Sequence, residues 1–287
     1  MRDTFTQLTY LVAATLFVLG LKSLTRPDQA RRGMRQAAVG MLLAIVGTLI
    51  QQQIVDYRWI AIGLVVGGVV GYPLGMWVPM TAMPQRIAIA LCFGATAATL
   101  VGIAEYYTTL HEHGTVGAGK TAALGFEVML GSLTVTGAFV AFGKLQEFVS
   151  GRPITYRGQN FVNVALLALL VGLFGYLIVN PEREAAFYWM IGLAALIGVM
   201  LVLPIGGADM PVVVALLNSY AGLAAAATGF ALNNNILIIA GALDGASGFI
   251  LSVLMSKAMN RSFGNIIFGA FGSGAGAAAA RAATGDQ

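Results

Sequence analysis

The chain has 287 residues, of which 58% are hydrophobic and 10% charged, with a net charge of +4. A soluble domain carries about 25% charge, so a water-soluble core is excluded, in keeping with the mean hydropathy of +0.81. The basic surplus sits beside the ends of apolar runs rather than in a patch, which argues against nucleic acid as a partner, and the lone Cys92 excludes a disulfide within the chain.

The apolar runs are each about twenty residues long, the length a helix needs to cross a ~30 Å hydrocarbon layer. Nine are expected to span, over 7–24, 36–51, 58–77, 84–107, 121–145, 160–179, 186–204, 209–231 and 234–257. The fold class is therefore all-α, a polytopic transmembrane bundle joined by short connections. Residues 1–260 form one membrane domain and 261–287 a linker. The first span opens "MRDTFTQLTYLVAATLFVLGL" without a small-residue cleavage site, and is read as a retained helix rather than a signal peptide.

Span three carries Gly63, Gly67, Gly71 and Gly75 in one stripe, the spacing that lets helix backbones approach in lipid. Between spans four and five, "YYTTLHEHGTVGAGK" holds His111 and His113, but with no further ligand in sight the stretch reads as a solvated loop, not a metal site. Span five places Glu127 about a turn and a half in, with Thr134 and Thr136 beyond it. These are either steps of a proton relay or hydroxyls bonded to their own backbone. Acids at this depth cost about 2.5–3.5 kcal/mol to insert and usually face a bundle interior or water.

Span eight begins in "GGADMPVVVALLNSYAGLAAAATGFAL", with Asp209 as the expected N-cap and Pro211 in the first turn. Counting from Asp209, Asn218 lies about 13 Å into the membrane. Gly222, Ala225 and Gly229 share its face. An interhelical hydrogen bond worth about 0.6–2 kcal/mol and a step in a pathway both explain an amide there. Span nine sets Gly241, Gly245, Gly248 and Ser252 on one face, with Asp244 near the midplane and no basic residue at that depth to pair with it. Asp244 is thus either protonated or turned to water or a partner subunit.

Orientation follows from Lys and Arg. Twelve, among them Lys22, Arg31, Arg86, Lys144, Lys257 and Arg261, fall on one side, against Arg2, Arg58, Lys120 and Arg183 on the other. The C-terminus is expected in the cytoplasm and the N-terminus outside. The Gly272, Gly274 and Gly276 triplet in the tail lacks the strand and βαβ unit of a dinucleotide fingerprint, and reads as flexible linker.

Three stretches, "GGADMPVVVALLNSYAGLAAAATGFAL", "GALDGASGFILSVLMSKAMNRSFGNIIFGAFG" and "TVTGAFVAFGKL", resemble the β subunit of the proton-translocating NAD(P)+ transhydrogenases. The likeness is strong over the last eighty residues, fair from about residue 84, and mainly topological before that. It implies a membrane domain, multi-pass in a bacterial inner membrane, that couples proton flow to hydride transfer from NADH to NADP+. NADP(H) and NAD(H) would be bound by other domains of the complex and none by this chain. The implied partners are α-type subunits with further spans and an NAD(H)-binding domain, an NADP(H)-binding domain continuing past the linker, a second copy of the whole assembly, and lipid. Asn218, with Ser219 in the "NSY" match, would lie on the proton path. Asp209 would mark the cytoplasmic mouth, Gly241, Gly245 and Gly248 would serve coupling, and Lys257 and Arg261 would stand at the end leading into the linker.

The sequence departs from the family pattern at three places. Leu91 occupies the register of a common histidine, so a neighbouring subunit is expected to supply the titrating group. Glu127 sits one helical turn later than the usual glutamate, on the same face. Asp244 stands at a position that is commonly apolar, and is a candidate to replace the histidine in part. A non-enzymatic transporter would favour inverted repeats and corresponding helix breaks, which the sequence does not offer. A scaffold would have no use for Glu127, Asp244 and Asn218.

Overall fold

The computed structural model describes residues 2–24, 28–51, 57–77, 79–264 and 266. Among these the chain is helical with no strand, and nine helices are long and apolar enough to cross a membrane. They are α1 (Arg2–Leu24), α2 (Ala30–Gln51), α3 (Tyr57–Met76), α4 (Met83–His113), α5 (Ala118–Leu145), α6 (Gln159–Val179), α7 (Glu184–Val202), α8 (Met210–Ala231) and α9 (Asn235–Ala258). Every expected span has its helix. The glycine triplet at 272–276, Arg26 and Arg281 lie outside the described residues, as does most of the 261–287 linker.

Two boundaries differ from expectation. Helix α2 starts six residues earlier than the apolar run, because a helix end carrying Arg31, Arg32 and Arg35 can project beyond the hydrocarbon. Helix α4 runs on through His113 and stops only at Gly114, which takes the left-handed conformation (φ 71°) and donates its N–H to the Leu110 carbonyl. His111 is therefore on a helix, not in a loop. Its ring stacks on Tyr107 at 3.9 Å between centroids.

Helix α5 is the hub, packed on α4, α6, α7 and α8. Its core contacts centre on Leu124 and Val128, joined by Phe187 and Met190 of α7 and by Val212 and Leu217 of α8. Small residues set the spacing. A Cβ on Gly198 of α7 would stand 2.2 Å from the Leu133 carbonyl oxygen of α5. Thr136 uses that closeness to donate to the Ala195 carbonyl of α7 at 2.7 Å.

Helices α8 and α9 form a hairpin turned by "LNNN". The Asn234 N–H bonds to the Gly229 carbonyl at 2.8 Å across a left-handed Asn233 (φ 52°), closing α8. The Asn234 side chain then accepts from Leu237 N–H at 3.2 Å, capping α9. Helices α1 and α2 pair with each other and touch the rest chiefly through α9, around Tyr10, Ala13, Ala44 and Ile236.

Helix α3 buries none of its residues against this chain, and nothing lies within 4 Å of where a Cβ would stand on Gly63, Gly67, Gly71 or Gly75. Among the described residues, the expected packing stripe thus meets no other element. Trp59 and Trp77 flank the helix and are about three-quarters exposed. Their separation of about 27 Å along the axis matches the two interfacial belts of a bilayer.

Candidate functional site

Three polar stations lie along α8. The first is at its start. Residues Gly207–Asp209 make a 3-10 turn that leads into the helix, and Pro211 lies in the first turn as expected. Asp209 holds the N-cap position but makes no capping hydrogen bond, contrary to expectation. Its backbone is right-handed helical rather than extended, so the side chain does not fold back over the first turn. The carboxylate faces Arg261 instead, with Oδ1 3.7 Å from Nε. Arg261 is placed by the end of α9, where its N–H bonds to the Ser256 carbonyl past a left-handed Asn260 (φ 54°). Lys257 is exposed in the last turn of α9, where a cation is favoured by the helix dipole.

The sequence reading missed what supports this end. Lys144, at the last turn of α5, is 2% exposed, and its ammonium donates to the Leu203 carbonyl and to the Ile205 carbonyl, the latter at 2.8 Å. It ties α5 to the carbonyl end of α7, two to four residues before the turn that presents Asp209. Ile154 N–H also bonds Leu203, and Gly207 N–H bonds Gly151, so the 146–158 loop is pinned to the same turn. The signal was a lysine closing an apolar helix beside "AFG", which orientation counting treats as merely flanking.

The second station is at mid-span. Asn218 Nδ2 donates to Asp244 Oδ1 at 3.2 Å, joining α8 to α9. Next to it, Ser219 Oγ donates to the Gly245 carbonyl at 2.7 Å. Glycines permit both bonds. A Cβ on Gly222 would stand 2.3 Å from the Gly245 nitrogen, one on Gly241 2.4 Å from the Ala226 nitrogen, and one on Gly248 2.8 Å from the Ser219 nitrogen. Asn218 is half-buried. Asp244 is exposed on the flank of α9, where it lines a groove of about 340 Å³ with Phe17, Met41, Ala225 and Ser247. Leu91 of α4 is buried at about the same level, since Cys92 beside it bonds to the Val135 carbonyl of α5, and Gly137 of α5 packs on Leu217.

The third station is Glu127, fully buried on α5. Its carboxyl lies against α4, where a Cβ on Gly102 would stand 2.9 Å from its Cδ, and within reach of the Thr228 hydroxyl of α8. Neither oxygen makes a hydrogen bond of normal geometry. Thr134 and Thr136 do not continue a chain from it. Thr134 donates to the Leu130 carbonyl at 2.7 Å, and Thr136 bonds across to α7. Thr228 is ten residues from Asn218, so Glu127 and the Asn218–Asp244 pair are about 15 Å apart along the bundle. The structure brings Asn218, Ser219, Asp244 and the three α9 glycines together, and leaves Glu127 and the Asp209–Arg261 pair apart from them.

The two grooves beside α9, of about 340 and 380 Å³, are lined mainly by apolar side chains such as Phe17, Met41 and Leu237. Neither fits the phosphates of a dinucleotide, which need amide or basic donors.

A helical bundle built for membrane depth, with carboxyl and amide groups held inside it, is a polytopic membrane protein with a polar interior. The family model described as NAD(P) transhydrogenase beta subunit matches residues 6–287, and the chain belongs to that family. Two proteins from Rhodospirillum rubrum, each described as NAD(P) transhydrogenase subunit beta, are 42% identical to it over 291 residues, covering 100% of this chain. The chain spans 62% of the length of these relatives.

Proposed function

We propose that this chain is the proton-translocating membrane part of a transhydrogenase that couples proton flow to hydride transfer from NADH to NADP+. NAD(H) and NADP(H) bind on other domains of the complex. The partners are α-type subunits with additional spans and the NADP(H)-binding domain, the complex is a dimer, and it sits in a bacterial inner membrane with the Lys144 end cytoplasmic. In this reading Asn218, Ser219, Asp244 and Glu127 belong to the proton path. Asp209, Arg261 and Lys257 form the cytoplasmic mouth. Gly241, Gly245 and Gly248 set the α8–α9 contact through which nucleotide state acts. A partner subunit supplies the titrating group beside Leu91 and Asn218.

The observation that carries this reading is the Asn218–Asp244 hydrogen bond at 3.2 Å. It holds a carboxyl group at a depth where an acid costs about 2.5–3.5 kcal/mol to insert. A helix contact already closed by glycines has no need of it. The test is proton transport by the assembled complex in vesicles. Asn218→Leu and Asp244→Val should each slow transport at least about 10-fold, the low end of what a positioned proton-transfer group contributes. Wild-type transport in both variants would remove the pair from the path and leave it as helix glue.

A further inference from the structure

Glu127 is sealed inside the bundle, yet a proton-carrying carboxyl must exchange with one side of the membrane. The end of the bundle nearest it holds a second carboxyl. Glu105 of α4 is three residues beyond Gly102, on the same face of the helix and about 5 Å along it. Gly102 is the position whose missing side chain makes room for the Glu127 carboxyl, with its Oε1 3.0 Å from the place of a Cβ. The α4 face that admits Glu127 therefore also carries Glu105, one turn further on.

Glu105 itself is partly open. Its side chain is 28% exposed and pairs with Lys120 of α5 at 2.5 Å, while Thr109 donates to the same oxygen at 3.5 Å. Around this cluster, the Tyr106 hydroxyl is engaged with the Pro181 carbonyl at 2.7 Å, and its ring stacks on Phe187 at 4.0 Å. The geometry thus gives one carboxyl that is partly exposed and one that is fully buried, on facing helices, with only a glycine of α4 against the buried one.

We infer that Glu105 is the outer relay carboxyl of the proton path, passing protons between the outer surface and Glu127. A proton from outer water binds a Glu105 oxygen. It then moves to a Glu127 oxygen, directly or through one bridging water, and Glu105 returns to carboxylate. Lys120 pairs with Glu105 from α5 and takes no part in the transfer. This assignment rests on the proton-translocation reading above.

The test uses the assembled complex in vesicles, with initial proton-transport rate and amount of complex measured for each variant. Glu105→Gln should slow transport at least about 10-fold, the low end of what a positioned proton-transfer group contributes. Glu105→Asp, which keeps the carboxyl, should hold transport within about 3-fold of wild type. Lys120→Met breaks the same ion pair and should stay within about 2-fold, since partly exposed pairs contribute little. Glu105→Gln combined with Glu127→Gln should be no slower than Glu127→Gln alone. Wild-type rates in Glu105→Gln with a slow Glu127→Gln would overturn the relay and leave Glu127 in place. A Lys120→Met variant as slow as Glu105→Gln would make the pair a structural clasp and overturn it too. A wild-type complex that moves no protons would overturn the underlying reading as well.

Discussion

Gly222→Ala tests the α8–α9 contact on which the mid-span site depends. The new Cβ would stand 2.3 Å from the Gly245 nitrogen and 2.7 Å from its Cα, whereas ordinary contact begins near 3.4 Å. Both obstacles are backbone, so no side chain can turn aside, and the helices must separate by about 1 Å. That displacement takes the Ser219–Gly245 bond, now 2.7 Å, and the Asn218–Asp244 bond, now 3.2 Å, beyond hydrogen-bonding range. Overpacking costs about 1–3 kcal/mol, and each lost bond in a membrane interior adds about 0.6 kcal/mol. The better helix propensity of alanine returns about 1 kcal/mol. The net expectation is a destabilisation of about 1–3 kcal/mol. Gly192→Ala on α7 is the control, because nothing lies within 4 Å of its Cβ position. That change should be neutral or stabilise by up to about 1 kcal/mol. The assay is the unfolding midpoint in a graded detergent mixture, with both variants in the same background. If Gly222→Ala unfolds no earlier than Gly192→Ala, the helices do not meet at this register and the account of the site is wrong.

Lys144→Met should destabilise by about 3 kcal/mol in the same assay, since it removes two charge-assisted bonds, to Leu203 and Ile205, from a buried position. Lys144→Arg should not restore it, because a planar fork does not fit a site shaped for a compact ammonium. Asn234→Ala should cost about 1 kcal/mol through loss of the cap that accepts from Leu237 N–H, measured as an earlier unfolding midpoint.

Helix existence was legible because apolar length alone decides it at membrane depth. Its ends were not legible where polar residues continue a helix into water, as they do at Arg31 and at His111. The pairing of Asn218 with Asp244 was within reach of the sequence. Folding the α8–α9 hairpin about Asn233 and Asn234 puts Gly229 opposite Ile238, Gly222 opposite Gly245 and Ser219 opposite Gly248, the contacts the structure makes. Asn218 then falls opposite position 249, about a turn and a half from Asp244, an offset that the two side chains bridge at 3.2 Å. What hid this was reading each span singly, so that Asp244 had no basic partner and Asn218 no named one. The Asp209 cap failed for a different reason. Residue type fits an N-cap, but a preceding 3-10 turn set the backbone angles, and those lie outside local sequence preference. Lys144 was visible as a lysine closing an apolar helix, but its partners were not, because they are the Leu203 and Ile205 carbonyls and every residue carries a carbonyl.

The spacing of the three stations constrains the proposed proton path. Along α8, Asp209, Asn218 and the Thr228 position beside Glu127 follow one another at nine and ten residues, or about 14–15 Å per step. Proton transfer needs hydrogen-bonded contact near 2.6–3.2 Å, or one intervening water. Neither step is bridged by the threonines of α5, whose hydroxyls are committed to the Leu130 and Ala195 carbonyls. Leu91, at the level of Asn218, adds no group that can carry charge. On that proposal, the described residues of this chain supply anchor points rather than a continuous wire. A path through the chain needs either hydration between the stations or a group from another subunit entering near Asn218 and Asp244. The open flank of Asp244 faces the groove with Phe17 and Met41, and that is where such a group has room to approach.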